Sequence, residues 1–142
     1  MTAQNFKNHA KLVPGFHYVG LLLILALLIG SFINLSHSAP ENLYSASLIC
    51  LVAFIAVILW IYTRTFSLKA QDRAIRAEEN LRYYVLTGKL FPQELTVQQI
   101  IALRFASDAE FITLVDKAVK ESLTNKEIKL AIQNWKADYY RV

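Results

Sequence analysis

One cysteine, three prolines, four glycines and three histidines are all that this chain of 142 residues holds of the types that usually interrupt a chain or arm it chemically. A single thiol cannot build a disulfide framework, and Cys50 lies in an apolar run where it behaves as a small hydrophobe. His9, His17 and His37 are too scattered for a metal-ligand spacing or a catalytic triad. No glycine-rich phosphate loop is present. Glu78 and Glu79 are adjacent, so on a helix they diverge by about 100° and do not form a paired-carboxylate site. The expectation is a non-enzymatic protein with no cofactor and no metal.

Charge is missing as well, from two long stretches. Phe16–Leu35 and Leu43–Thr63 contain no aspartate, glutamate, lysine or arginine. Each is about 20 residues, the length of helix that crosses a hydrocarbon layer of roughly 30 Å. Ser36–Asn42 between them is short and polar and carries Pro40, a helix breaker. The pattern predicts a transmembrane hairpin with spans over about 16–35 and 43–63. Ala39 imitates a signal-peptidase site, but His37, Pro40 and the length of the apolar run favour a retained anchor.

Basic residues set the expected orientation. Lys7 and Lys11 precede the first span, Arg64, Lys69, Arg73 and Arg76 follow the second, and the connecting loop has Glu41 but no lysine or arginine. The positive-inside rule then puts both termini in the cytosol. Tyr18, Tyr44, Trp60 and Tyr62 stand where interfacial anchors are expected. Small residues suggest how the hairpin closes. Ala26 and Gly30 on span one, and Ala46, Cys50 and Ala53 on span two, are expected to form the touching faces.

Beyond the spans, 64–142 holds 13 basic and 10 acidic residues with the signs interspersed, the pattern of a solvated helical surface and not of a nucleic-acid stripe. Membrane lipid is an expected partner and nucleic acid is not. No breaker separates Tyr62 from Leu86, so span two should continue into the cytosol until Gly88, a natural helix stop. On this extension Phe66, Ala70, Ala74, Ala77, Leu81, Tyr84 and Val85 share one face, and Asp72–Arg76 and Glu78–Arg82 are acid-first pairs one turn apart.

Three capping boxes follow: Thr96 with Gln99, Ser107 with Glu110, and Thr124 with Glu127. They predict short helices ending near Phe105, Leu123 and Asp138. About 45 residues make a marginal core, so these helices are expected to pack on the alanine face of the extension, on another protomer or on a partner protein. The fold class is therefore an all-α membrane protein. Its parts are a tail over 1–15, a hairpin over 16–63, an extension over 64–88 and a cap of three short helices over 89–142.

Arg104 lies in the apolar stripe of its own helix. Either its stem lies on the core with its head in water, or it pairs with Asp108, Asp72 or Glu79. Trp135 is expected in the core. The candidate interaction or clamp residues are thus Asp72, Arg73, Arg76, Glu79, Arg104, Asp108 and Trp135. The mid-span regions hold no ionisable or amide side chain, which argues against a transporter. The expected function is interaction or scaffolding through the cytosolic helices, by self-association or with an unidentified protein. The alternative is a small oligomeric channel or an accessory subunit of a transport complex.

Blocks of sequence add a resemblance. Gln71-Asp72-Arg73 with Ile75-Arg76, Ala102-Leu103-Arg104-Phe105-Ala106-Ser107-Asp108, and Ile128-Lys129, Ala131-Ile132, Trp135, Asp138 and Arg141-Val142 resemble an uncharacterised bacterial family of small two-span membrane proteins, a domain of unknown function. The resemblance implies a bacterial inner (plasma) membrane location and a motif-bearing cytosolic domain. It supplies no activity.

Overall fold

The computed structural model describes residues 4–139. The terminal Arg141–Val142 pair of the family resemblance lies outside them. The regular structure is helical, with one isolated antiparallel bridge, Ala106 to Trp135, among the described residues. Helix α1 (Leu21–His37) is preceded by a π-helical turn, Gly15–Gly20, and α2 (Leu43–Thr87) by a 3-10 turn, Pro40–Asn42. Three short helices follow: α3 (Val97–Leu103), α4 (Asp108–Lys120) and α5 (Asn125–Ala131). The chain divides into two compact units, Leu12–Ser67 and a second built from 4–11 with 68–139. The tail to Lys11 therefore groups with the C-terminal half and is not a separate segment of 15 residues.

Two helices are long and apolar enough to cross a membrane, Gly15–His37 and the Pro40–Thr87 run. Helix α1 ends where Ser38 turns to extended backbone (ψ 136°), just before Ala39 and Pro40. Ser31, Ser36, Ser47 and Thr63 bond back to their own helix backbone, Ser31 to the Leu28 carbonyl at 2.8 Å. In this unit Ala46, Cys50 and Ala53 are buried. The facing pattern on α1 differs. Ser31 is buried and Ile24, Leu28 and Leu35 are partly covered, whereas Ala26 and Gly30 are exposed. A Cβ built on Gly30 meets nothing within 4 Å. Helix α1 thus turns its Ile24–Leu28–Ser31–Leu35 stripe inward, a helical i, i+4, i+7, i+11 repeat. Aromatic pairs close both ends of the unit: Phe32 and Phe54 meet edge to face at 5.9 Å, and Phe16 stacks on Trp60 at 5.2 Å. The Trp60 indole also donates to the Phe16 carbonyl at 3.3 Å.

Helix α2 has 45 residues because no glycine or proline interrupts Leu43–Thr87. At 1.5 Å per residue it is about 68 Å long, roughly twice a hydrocarbon layer. It stops at Gly88, whose φ of 72° suits a residue without a Cβ and whose N–H bonds the Tyr84 carbonyl at 2.8 Å. Asn80 then accepts from the Phe91 N–H at 2.9 Å, which draws the following loop back along the helix.

The capping boxes at Thr96 and Thr124 form in full, each hydroxyl accepting from the amide three residues on and each partner side chain bonding back. The Ser107 box does not form. Ser107 makes no side-chain cap bond, and the Glu110 carboxylate accepts instead from the backbone N–H groups of Gln133 (3.1 Å) and Asn134 (2.9 Å). That diversion explains another departure. The third helix ends at Ala131, not near Asp138, and Ile132 is extended. The segment beyond it docks on the α3–α4 corner through Ser107 N–H to the Asn134 carbonyl (3.0 Å) and Lys136 N–H to the Phe105 carbonyl (2.7 Å). Gln99 donates to the Leu123 carbonyl at 2.9 Å, so one side chain both caps α3 and satisfies the chain after α4. The core between these elements contains Tyr83, Leu95, Ile100, Leu103, Phe105, Phe111, Val115 and Ile128.

Candidate functional site

The part of α2 in the C-terminal unit buries Ile75, Glu79 and Tyr83 and half-buries Arg82, an i, i+4, i+7, i+8 stripe that includes two charges. The expected contact face is the wrong one. Ala70, Ala74, Ala77, Leu81, Tyr84 and Val85 are exposed. At 100° per residue their mean direction is opposite to the buried stripe.

Arg82 is the centre of the polar arrangement. Its Nη1 donates to Glu79 Oε2 at 2.9 Å, its Nε to Asp108 Oδ1 at 2.7 Å and its Nη2 to the Ala106 carbonyl at 2.7 Å. The guanidinium lies 4.0 Å above the Phe111 ring. The planar fork of arginine can serve three acceptors set in different directions, which a lysine point charge cannot do with the same geometry. The Arg82 and Glu79 side chains are 11% and 10% exposed, so this pair sits in a low-dielectric setting, whereas Asp108 is 67% exposed. The expected Glu78–Arg82 pair is replaced by Glu79–Arg82, one residue nearer and on the inner face.

Arg104 takes a different partner from those expected. It ends α3 as the C-cap, still with helical dihedrals (φ −56°, ψ −25°). Nη1 lies 3.4 Å from Asp138 Oδ2, the guanidinium stands 4.6 Å over the Phe105 ring, and the residue is 7% exposed. Burial at that level overturns the snorkelling alternative. Asp108 and Glu79 are committed to Arg82, and the pairing with Asp138 depends on the early end of α5. Trp135 packs in this region, its ring 5.2 Å from Phe105 and 5.8 Å from His9. Asp72 is half-buried, and Arg73 and Arg76 are exposed; no Asp72–Arg76 ion pair forms.

The N-terminal tail completes the unit. Gln4 and Asp138 exchange two bonds, Gln4 Nε2 to the Asp138 carbonyl at 3.2 Å and Asp138 N–H to Gln4 Oε1 at 2.8 Å. Lys11 reaches the Tyr139 carbonyl at 3.3 Å. His9 Nδ1 donates to the Phe6 carbonyl at 2.7 Å, which leaves Nε2 to accept from Lys129 Nζ at 3.2 Å. The sequence suggests a separate tail over 1–15 and makes Arg82 a pairing residue for Glu78. The spacing of Ile75, Glu79, Arg82 and Tyr83 was the signal for the second; periodicity holds no signal for the first.

A cavity of about 640 Å³ opens beside Arg104, bounded by Lys11, Gln71, Ile75, Glu78, Glu79, Lys136 and Asp138. Three cationic and three anionic heads rim it, so its formal charge is balanced. Glu79 and Asp138 already serve arginines, which makes them charge partners and not free bases. Among the described residues no group of three or more histidine, cysteine, aspartate or glutamate side chains is placed to hold a metal ion. The arrangement holds helices together and offers a polar recess and an outward apolar stripe.

No curated protein and no solved structure matches the chain. A family model matches residues 1–142, the whole chain, and is described as a family of unknown function. The chain belongs to that family, DUF6526.

Proposed function

We propose that this chain is a bacterial inner-membrane protein, inserted as a two-span hairpin with both termini cytosolic, that acts by binding and not by catalysis. Its cytosolic unit is an interaction module for a copy of itself or for another protein. The observation that carries this reading is the apolar stripe beyond the second charge-free run, where Leu81, Tyr84 and Val85 are 63%, 51% and 74% exposed. Large apolar groups beyond the hydrocarbon are costly to leave in water and mark contact surfaces when they are contiguous. The orientation draws support from the absence of basic residues between the spans and from the bonds between Gln4 and Asp138, which bring the two ends of the chain into one folded unit.

The test is purification of the full chain from membranes in mild detergent, with the eluate analysed for stoichiometric companions. A second copy or a second protein in constant ratio supports an interaction module. A monodisperse monomer that retains no companion overturns it.

A further inference from the structure

We infer that the exposed stripe of α2 is a parallel dimer seam whose occupant is the same stripe of a second copy of this chain. The inference rests on the membrane reading above, because two copies inserted in one sense present parallel helices.

Ala70, Ala74, Ala77, Leu81 and Tyr84 recur at spacings of four, three, four and three. That is the a/d repeat of a two-stranded coiled coil, with a mean period of 3.5. All five are exposed; Ala70, Ala77, Leu81 and Tyr84 lie on the side of α2 away from Ile75, Glu79 and Tyr83, and Ala74 stands at the edge of the cavity beside Arg104. The three alanines allow helix axes to approach to the short end of the usual range, about 8 Å.

Charge complementarity selects the occupant and its direction. With Ala74 and Leu81 at a positions, Arg73 falls at g and Glu78 at the next e. In a parallel pair, g of one helix faces the following e of the other, so Arg73 of each copy meets Glu78 of its neighbour, twice by symmetry. Arg73 and Glu78 are both exposed, and neither has an ion-pair partner within its own chain among the described residues. Glu78 is exposed at the rim of the cavity beside Arg104, and Arg82, one turn on, is engaged by Glu79 and not by Glu78. An antiparallel pairing would set g against g and e against e and would lose this match. A dissimilar partner would have to reproduce both the spacing and the charge order that the chain already offers to itself.

Disulfide trapping in native membranes tests the seam. In a full-length Cys50→Ala background, Ala70→Cys and Ala77→Cys are oxidised separately and compared with Arg76→Cys, which is exposed on a different side of the helix. The expected result is several-fold more covalent dimer from the two seam positions than from Arg76→Cys. Equal yields, or more from Arg76→Cys, overturn the seam. In the Ala77→Cys background, Arg73→Glu alone and Glu78→Arg alone are expected to lower the yield several-fold, and the two together to restore it; a double variant no better than the singles overturns the register. Carbonate washing of the same membranes separates the two readings. Protein that washes off overturns the membrane reading and the parallel geometry with it. Protein that stays but does not cross-link at Ala77→Cys overturns the seam alone.

Discussion

Arg82 Nε donates to Asp108 Oδ1 across 2.7 Å, joining the last turns of the long helix to the first residue of α4. The two residues are 26 apart in sequence and are joined through an arginine whose other donors go to Glu79 and the Ala106 carbonyl. One side chain therefore orients three pieces of backbone.

Removing that side chain should be expensive. Arg82→Ala leaves Glu79 buried without its counter-charge and the Ala106 carbonyl without its donor. Truncating one member of a buried pair costs about 3–5 kcal/mol. Asp108→Ala breaks only an exposed contact and should cost about 1 kcal/mol or less. Thermal melts of the purified full chain by circular dichroism check the order: a large drop in Tm for Arg82→Ala and a small one for Asp108→Ala. Equal drops would mean that the burial of Glu79 does not matter.

The three helix starts should respond differently to loss of the hydroxyl. Thr96→Ala and Thr124→Ala each remove a formed cap and should cost about 1 kcal/mol. Ser107→Ala removes a hydroxyl that caps nothing and should be close to neutral. Glu110→Ala, by contrast, unpairs the Gln133 and Asn134 amides, and hydrogen exchange over 132–138 should accelerate while α4 stays protected. Denaturant titration separates the serine from the threonines.

Glu127 supplies a pH dependence. The Thr124 backbone N–H, and after it the Thr124 hydroxyl, hold its carboxyl below the ordinary value of 4.5. A carboxylate depressed in the folded state stabilises it fully above the unfolded value, and that contribution is lost as pH falls through the folded one. Amide protection at the start of α5 should therefore weaken on acidification below about pH 4.5, and Glu127→Gln should remove this component of the response. A protection profile in Glu127→Gln that still tracks the wild type through this range would count against it.

Within the hairpin, Gly30→Leu should be tolerated, because the space beyond Gly30 is open. Ala53→Leu should not be, because Ala53 is 1% exposed and overpacking a closed face costs about 1–3 kcal/mol. Thermal aggregation in detergent provides the comparison. A destabilised Gly30→Leu would return Gly30 to the interface.

Topology is checked with reporters. Fusions ahead of Lys7 and after Val142 should both report cytosol, and a thiol placed at His37 in a Cys50→Ala background should label from outside intact cells. Labelling of the C-terminal end from outside would reverse the orientation.

Local rules made much of this protein legible before its structure. Charge-free runs of adequate length mark the two apolar helices, because no alternative burial is needed for the backbone of a helix. Gly88 marks the end of α2, and Thr96 and Thr124 mark helix starts, because each depends on atoms within four residues. Ala46, Cys50 and Ala53 were identifiable because small residues on one face already indicate close approach.

What the sequence left undecided was which partner each side chain would choose. Glu110 carries the sequence of a capping box yet serves Gln133 and Asn134, since two orphan amides of a returning segment compete for the same carboxylate. Arg104 had three plausible acids and takes Asp138, an acid that comes within reach only because α5 ends at Ala131 and the chain turns back toward the end of α3. The alanine face of α2 reads as the more apolar one, but Ile75, Glu79 and Tyr83 are buried, because three donors of Arg82 and its contact with Phe111 offset the burial of charge. Those choices are settled by contacts between residues far apart in the chain, where periodicity and capping hold no information.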